Sequence, residues 1–176
     1  RYADTISYHR SSFDTHGMIT DPFFILNPPE KRHMIYDADV PLRCLLPKGF
    51  EGIIVTGLGA SAHRDAMPVI RMQPDLHNQG YAAGLAAADS IMQDTPFREL
   101  DMRSVQKQLV EKGNLPQEVL TDVDAYEITK KEMEEVMALI PNGYEGLEKV
   151  LAFPEVSVPL LKKWYGKVPS SQKHDY

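Results

Sequence analysis

The chain has 176 residues, a hydrophobic fraction of 43% and a formal net charge of -6, with an isoelectric point near 5.5. Its hydrophobic fraction is that of a globular protein and argues against wholesale disorder. The negative charge, with no clustered stripe of Lys and Arg, argues against a nucleic-acid partner. No apolar run approaches the roughly 20 residues that span a bilayer, so we expect no membrane partner.

Cysteine content excludes two kinds of site. Cys44 is the only cysteine, so neither an intramolecular disulfide nor a cysteine-based zinc site is possible, and we expect no metal. The first residues, beginning with Arg1, have neither an initiator Met nor a signal-peptide pattern, so we expect the sequence to be a piece of a longer protein. Nothing in the composition indicates a cellular compartment.

Residues 1–47 contain short β-like runs separated by turn residues. These runs predict a short mixed or antiparallel β segment, which we assign to a substrate or cap region. The runs are Thr5–Tyr8, Phe23–Leu26, Met34–Tyr36 and Pro41–Leu46.

Residues 48–95 have a different pattern. Ile53–Thr56 predicts a short buried strand, and the small residues of Gly57–Ala62 predict a flexible turn after it. Pro74 suits the first turn of a helix that we expect to continue to Met92. The segment therefore predicts a strand–Gly-turn–helix unit.

Residues 96–176 predict a helical C-terminal region, which makes the fold class α+β. Asp101 is a candidate N-cap and Gly113 a candidate end signal for the first of its helices. The predicted helices are Val105–Lys112, Lys130–Leu139 after Thr129, Tyr144–Ala152 and Val156–Trp164.

The Gly-rich turn and the helix after it together favour ligand binding. Glycine lacks a Cβ, so its backbone can approach a flat or charged ligand closely. The helix N-terminus offers unpaired N–H groups to an anion or an electron-rich carbonyl. Gly80, Gly84 and Ala88 recur every four residues and share one helix face, which suits close packing against a sheet or a cofactor.

Four runs follow one another along the chain: Val40–Pro47, Gly52–Gly57, Val69–Pro74 and Gln79–Ala88. They contain a Pro-led strand, a glycine after the next strand, an Arg-Met pair and a Gln-Gly-x-Ala-Ala-Gly helix. In this order they resemble the C-terminal half of the FAD-dependent oxidoreductase family. Relatives of this family often carry the label xanthan lyase.

The resemblance implies a set of cofactor contacts. Gly57, Leu58 and Gly59 are expected along the pyrophosphate or ribityl chain of FAD. Near the isoalloxazine ring the resemblance implies Met72, Gln73 and Asp75, where helix N–H groups would stabilise negative charge on a reduced flavin. The unit would thereby complete an FAD-binding Rossmann-like domain.

Two further residues are candidates for cofactor binding. Arg71 precedes the helix and is suited to a phosphate or a substrate carboxylate, with a structural salt bridge as an equal alternative. Gly80 lies on the small-residue helix face, for which tight packing on the helix's own strand is the alternative.

One motif of the family is missing. The sequence has no Gly-x-Gly-x-x-Gly after a strand, which in such flavoproteins holds the adenosine diphosphate. We therefore expect the N-terminal FAD-binding half to be a missing partner, and this chain alone to be inactive.

Three residues are candidates for catalysis. Asp14 and His16 stand two apart, so on a strand they would face the same side as an acid–base pair, although a simple turn ending at Gly17 is an alternative. His63 follows the Gly-rich turn and could reach a flavin or substrate, and an exposed loop position is equally compatible.

The leading hypothesis is the C-terminal fragment of an oxidoreductase that transfers hydride from a small organic or sugar-like substrate to flavin. The first alternative is a non-catalytic binding or interaction module. A weaker alternative is a polysaccharide lyase of the xanthan type, for which His16 and Arg10 are the nearest basic pair.

Overall fold

The computed structural model describes residues 1–21, 24–25, 35–125, 128–140 and 145–166. The chain forms two compact units. The first comprises Arg1–Ile19 and Pro28–Asp124, and the second comprises Thr20–Asn27 and Ala125–Tyr176. The secondary structure of the chain is a mixture of strands and helices, so the predicted α+β class is confirmed.

The sheet of the first unit is an antiparallel pair of strands. Strand β1 is Thr5–Ser12 and strand β2 is Ile35–Pro41, with Tyr8 opposite Asp39 and a register shift near the start of β1. Both strands were predicted, and both are longer than expected. The run Phe23–Leu26 lies mostly outside the described residues, and its central residues Phe24 and Ile25 are helical, so the strand prediction is wrong there.

The prediction of a strand over Pro41–Leu46 is also wrong. Strand β2 ends at Pro41, and Leu42–Leu45 forms a 3-10 helix. Proline lacks the N–H that would continue the ladder, which gives a physical reason for the strand to stop there.

The predicted strand at Ile53–Thr56 is extended but belongs to no sheet among the described residues. Val55 N–H donates to the Leu45 carbonyl at 2.8 Å, and the side chain of Ile53 stays 45% exposed. A wholly apolar run of this kind forms a strand when neighbouring strands and both faces are supplied. The described part of this chain supplies neither, so the prediction of a buried strand is wrong.

Three α-helices lie among the described residues of the first unit. They are α1 (Met67–Ile70), α2 (Gln73–Met92) and α3 (Met102–Glu111). Helix α2 matches the predicted helix closely and packs on β1 through Ala82 and other small buried residues. The predicted cap of α3 is confirmed, because the Asp101 carboxylate accepts from the N–H of Arg103 at 3.0 Å.

Helices α4 (Lys130–Met137), α5 (Leu147–Ala152) and α6 (Pro154–Tyr165) lie in the second unit. Thr129 and Glu132 make a reciprocal capping box at the start of α4. All three helices were predicted with slightly different ends. The buried core of this unit consists of Met133, Met137, Ile140, Val150 and Leu160.

A buried histidine lies where β1 meets the start of α2. His9 is fully buried, its Nε2 lies 2.8 Å from the Ser7 hydroxyl, and its Nδ1 lies 3.9 Å from Oδ2 of Asp75. Burial lowers the pKa of His9, against the opposing effects of Asp75 and the Ile70 carbonyl. The neutral imidazole is therefore the form that the fold favours.

Removal of the α3 cap should destabilise the first unit. We expect Asp101→Ala to lower the free energy of unfolding by about 1 kcal/mol, because two N–H groups of α3 lose their acceptor. Asp101→Asn is the matched control, since asparagine also caps helices and should keep most of the stability. Urea denaturation measures both variants, and equal losses in the two would contradict the cap assignment.

His9 should make stability depend on pH. With its pKa lowered in the fold, the unfolded chain takes up the proton first as the pH falls through about 6.5, so stability is full above that value and falls below it. His9→Asn should flatten this part of the stability curve. His77→Asn, at an exposed position on α2, is the control that should keep the wild-type slope. An unchanged slope in His9→Asn would refute the assignment.

Candidate functional site

The predicted glycine turn is a short 3-10 helix over Gly57–Gly59. Gly57 has a φ of 68°, in the left-handed region that favours glycine. Its N–H donates to Oε1 of Gln79 at 2.7 Å, and Gln79 is fully buried in α2. This hydrogen bond joins the turn to the helix, while Leu58 stays largely exposed beside it.

The N-terminus of α2 has no side-chain cap. Met72 is its N-cap residue and makes no side-chain hydrogen bond to the first-turn N–H groups. Gln73 begins the helix and is exposed. The first-turn N–H groups carry partial positive charge and have no intrahelical acceptor, so they suit an electron-rich oxygen or nitrogen.

Asp75 has a contact that the sequence did not indicate. It lies in the first turn of α2, and its Oδ2 accepts from the N–H of Arg10 at 3.4 Å. The same oxygen is the one nearest His9. Asp75 thus joins the helix start to β1.

The small-residue face of α2 is exposed in this chain. Gly80, Gly84 and Ala88 lie on it, and a Cβ added at either glycine would meet no other atom within 4 Å. The face that packs inside the first unit carries Ala82 and Ala86 instead. The glycines therefore serve no close packing among the described residues.

Two predicted catalytic residues lie together, although not on a strand. Strand β1 ends at Ser12, so Asp14 and His16 lie in the loop after it and the strand-based reason for pairing them is wrong. Their side chains nevertheless lie close, with His16 Nε2 3.6 Å from Oδ2 of Asp14. The turn geometry gives the same proximity that a strand would have given.

Arg71 joins this pair. Its Nη2 donates to the Asp14 carbonyl at 3.0 Å and lies 3.3 Å from the Asp14 carboxylate. The cofactor contact of Arg71 stays a prediction. In this structure the hydrogen-bond partner of Arg71 is Asp14, which is itself a predicted catalytic residue. Asp14, His16 and Arg71 line one cleft of about 250 Å³ together with Arg64 and Asp65.

His63 does not line that cleft. It is exposed, and its Nδ1 accepts from the N–H of Asp65 at 3.2 Å. Of the three catalytic candidates, Asp14 and His16 therefore line the cleft with Arg71, whereas His63 does not.

Sequence reasoning missed the residues that connect these parts. Gln79 directly follows the polar residues His77 and Asn78, so the sequence did not mark it as the buried one. His9 had no signal either, since its burial depends on how α2 crosses β1. Arg64 and Asp65 stood beside His63 in the sequence but were not selected.

The described residues contain neither a metal-binding cluster nor a helix that could span a membrane. Within them, no group of three or more His, Cys, Asp or Glu side chains could hold a metal ion. None of the helices in this part of the chain is long and apolar enough to cross a membrane.

Comparison with known proteins identifies the family. The model of the family described as FAD dependent oxidoreductase matches residues 1–109, which is more than half of the 176 residues. No curated protein and no solved structure matches the chain significantly. The matched range contains the glycine turn, all of α2 and the cleft around Arg71. The chain therefore belongs to the FAD-dependent oxidoreductase family.

Proposed function

We propose that this chain is the C-terminal part of an enzyme that transfers hydride from a small organic or sugar-like substrate to FAD. Family membership supports the FAD-dependent oxidoreductase activity of the complete protein. The proposal of hydride transfer to FAD rests on the hydrogen bond from Gly57 N–H to Gln79, which joins the glycine turn to α2. This bond holds the glycine turn beside a helix whose N-terminus has no side-chain cap.

These residues fit a flavin dinucleotide. Gly57 leaves open space where a Cβ would lie, which suits a ribityl or pyrophosphate contact, whereas the Val55 side chain fills that space at Gly59. Leu58 between the two glycines is exposed. Met72 and Gln73 begin α2, whose first N–H groups would stabilise the negative charge of a reduced isoalloxazine. The flavin supplies the hydride acceptor, and the protein supplies orientation and electrostatics.

The exposed glycines of α2 support a partner on this face. Glycine inside a helix costs about 1 kcal/mol relative to alanine. Gly80 and Gly84 therefore destabilise α2 relative to alanine, although there is open space for a Cβ at both positions. Close approach of another backbone or of the cofactor gives a reason for the missing side chains.

We infer that the partner is an adenosine-binding half with the Gly-x-Gly-x-x-Gly fingerprint that this sequence lacks. The extended run Ile53–Thr56 would then gain neighbouring strands in a Rossmann-like sheet. In this proposal residues 1–47 belong to the substrate region, residues 48–95 complete the FAD domain, and residues 96–176 form a helical C-terminal region.

Bulky substitutions on the exposed face test the proposal. In this chain alone, Gly80→Leu and Gly84→Leu should leave folding intact or raise stability by up to about 1 kcal/mol, because leucine favours helix and the space is open. In the protein that includes the adenosine-binding half, the same changes should lower bound FAD at least about tenfold, the effect of roughly 1.4 kcal/mol.

Lys107→Leu is the matched control, because it adds the same side chain at an exposed position of α3. It should leave bound FAD unchanged. Thermal melting of the chain and the flavin-to-protein absorbance ratio of the longer protein are the measurements. Full flavin content in both glycine variants would contradict the proposed role of this face.

A further inference from the structure

The cleft around Arg71 has the composition of a small-anion site. Two guanidinium groups, from Arg64 and Arg71, face a cleft of about 250 Å³ that Asp14, Asp65 and His16 also line. This volume suits a substrate of a few heavy atoms. Arg71 is also the residue directly before Met72, the N-cap of α2, so the cleft adjoins the proposed flavin contact.

Arg71 keeps donors that no described residue uses. Its Nη2 is held by Asp14, its Nη1 makes no hydrogen bond to a described residue, and its side chain is 33% exposed. A carboxylate is the group that an exposed guanidinium binds best.

Arg64 is oriented by a buried carboxylate. Its Nε and Nη2 lie 3.1 and 3.0 Å from Oδ1 of Asp65, whose side chain is 2% exposed. The Arg64 side chain itself remains 56% exposed. The Arg64 guanidinium is therefore already held in position by Asp65 before an anion enters the cleft.

His16 offers a proton acceptor in the same cleft. Its side chain is 78% exposed, and its Nε2 faces Asp14 at 3.6 Å. An N–H on Nε2 would leave Nδ1 as the free base, and Asp14 would stabilise the imidazolium after proton transfer.

We infer that this cleft binds a 2-hydroxycarboxylate, with its carboxylate on Arg71 and Arg64 and its hydroxyl on His16. The inference rests on the proposed function. An FAD held by the Gly57–Gly59 turn and the start of α2 would supply the two-electron oxidant that takes the C2 hydrogen as hydride. The hydroxyl proton passes to Nδ1 of His16, the C=O bond forms, and the product is a 2-oxocarboxylate.

Glycolate, the smallest 2-hydroxycarboxylate, is the probe for the binding step. Calorimetry with the 176-residue chain compares glycolate with ethylene glycol, which keeps the hydroxyl and lacks the carboxylate. We expect glycolate to bind at least about tenfold more tightly, the effect of one charge-assisted contact. Equal affinity for the two probes would overturn the inference.

Variants locate the site. Arg71→Gln and Arg64→Gln should each weaken glycolate binding at least about tenfold. Arg64→Gln decides the matter if Arg71→Gln fails to fold, because Arg64 is the more exposed of the two. Arg10→Gln is the matched control, since it removes an exposed arginine paired with Asp37 on the hairpin. An equal loss in Arg10→Gln would show a general charge effect and overturn the inference.

His16→Gln tests the proton acceptor. It should leave the glycolate affinity of the chain nearly unchanged and slow flavin reduction by glycolate at least about 100-fold in the flavin-containing protein. An unaltered rate would overturn the role of His16.

The two proposals fail differently. If the protein with its adenosine-binding half holds no flavin, the proposed function fails, whatever the chain does with glycolate. If flavin binds and other substrates reduce it while glycolate does not bind the chain, only the present inference fails.

Discussion

The hydrogen bond from Gly57 N–H to the buried Oε1 of Gln79 is the contact on which the proposed flavin site depends. It holds the glycine turn against α2 even though the preceding run Ile53–Thr56 has no strand neighbour among the described residues. Gln79 is fixed in turn because α2 packs on β1. The position of the turn relative to the start of α2 is therefore set within the first unit, before any partner is added.

The polar contacts of the first unit divide into those that hold the fold and those that face open space. His9 and Asp75 connect β1 with α2, and Arg43 pairs with both Asp4 and Asp124, which raises the pKa of Arg43 well above its usual range. Around the cleft, by contrast, His16 and Arg64 remain largely exposed. The exposed set lies beside the helix N-terminus that has no side-chain cap, which is why we place substrate chemistry there.

Sequence reasoning located the helices well and the second half of the β region poorly. Caps at Asp101 and Thr129 act locally, so their signals could be interpreted without knowledge of the rest of the fold. The run Ile53–Thr56 was apolar enough for a buried strand, but a strand needs partners, and its state depends on residues far along or outside the chain. The two-residue spacing correctly predicted that Asp14 and His16 lie close together, although they lie in a loop and not on a strand. The contact of Arg71 with Asp14 joins distant parts of the sequence and required the tertiary structure.

In the proposed function the first unit is one half of a cofactor site, and an adenosine-binding half would bind at its glycine turn, at the start of α2 and at the exposed glycine face of α2. The most direct measurement is the visible absorption spectrum of the purified protein expressed together with that half. We predict a yellow protein with about one flavin per chain, which bleaches on anaerobic reduction. A folded, colourless protein that takes up no added FAD would contradict the account.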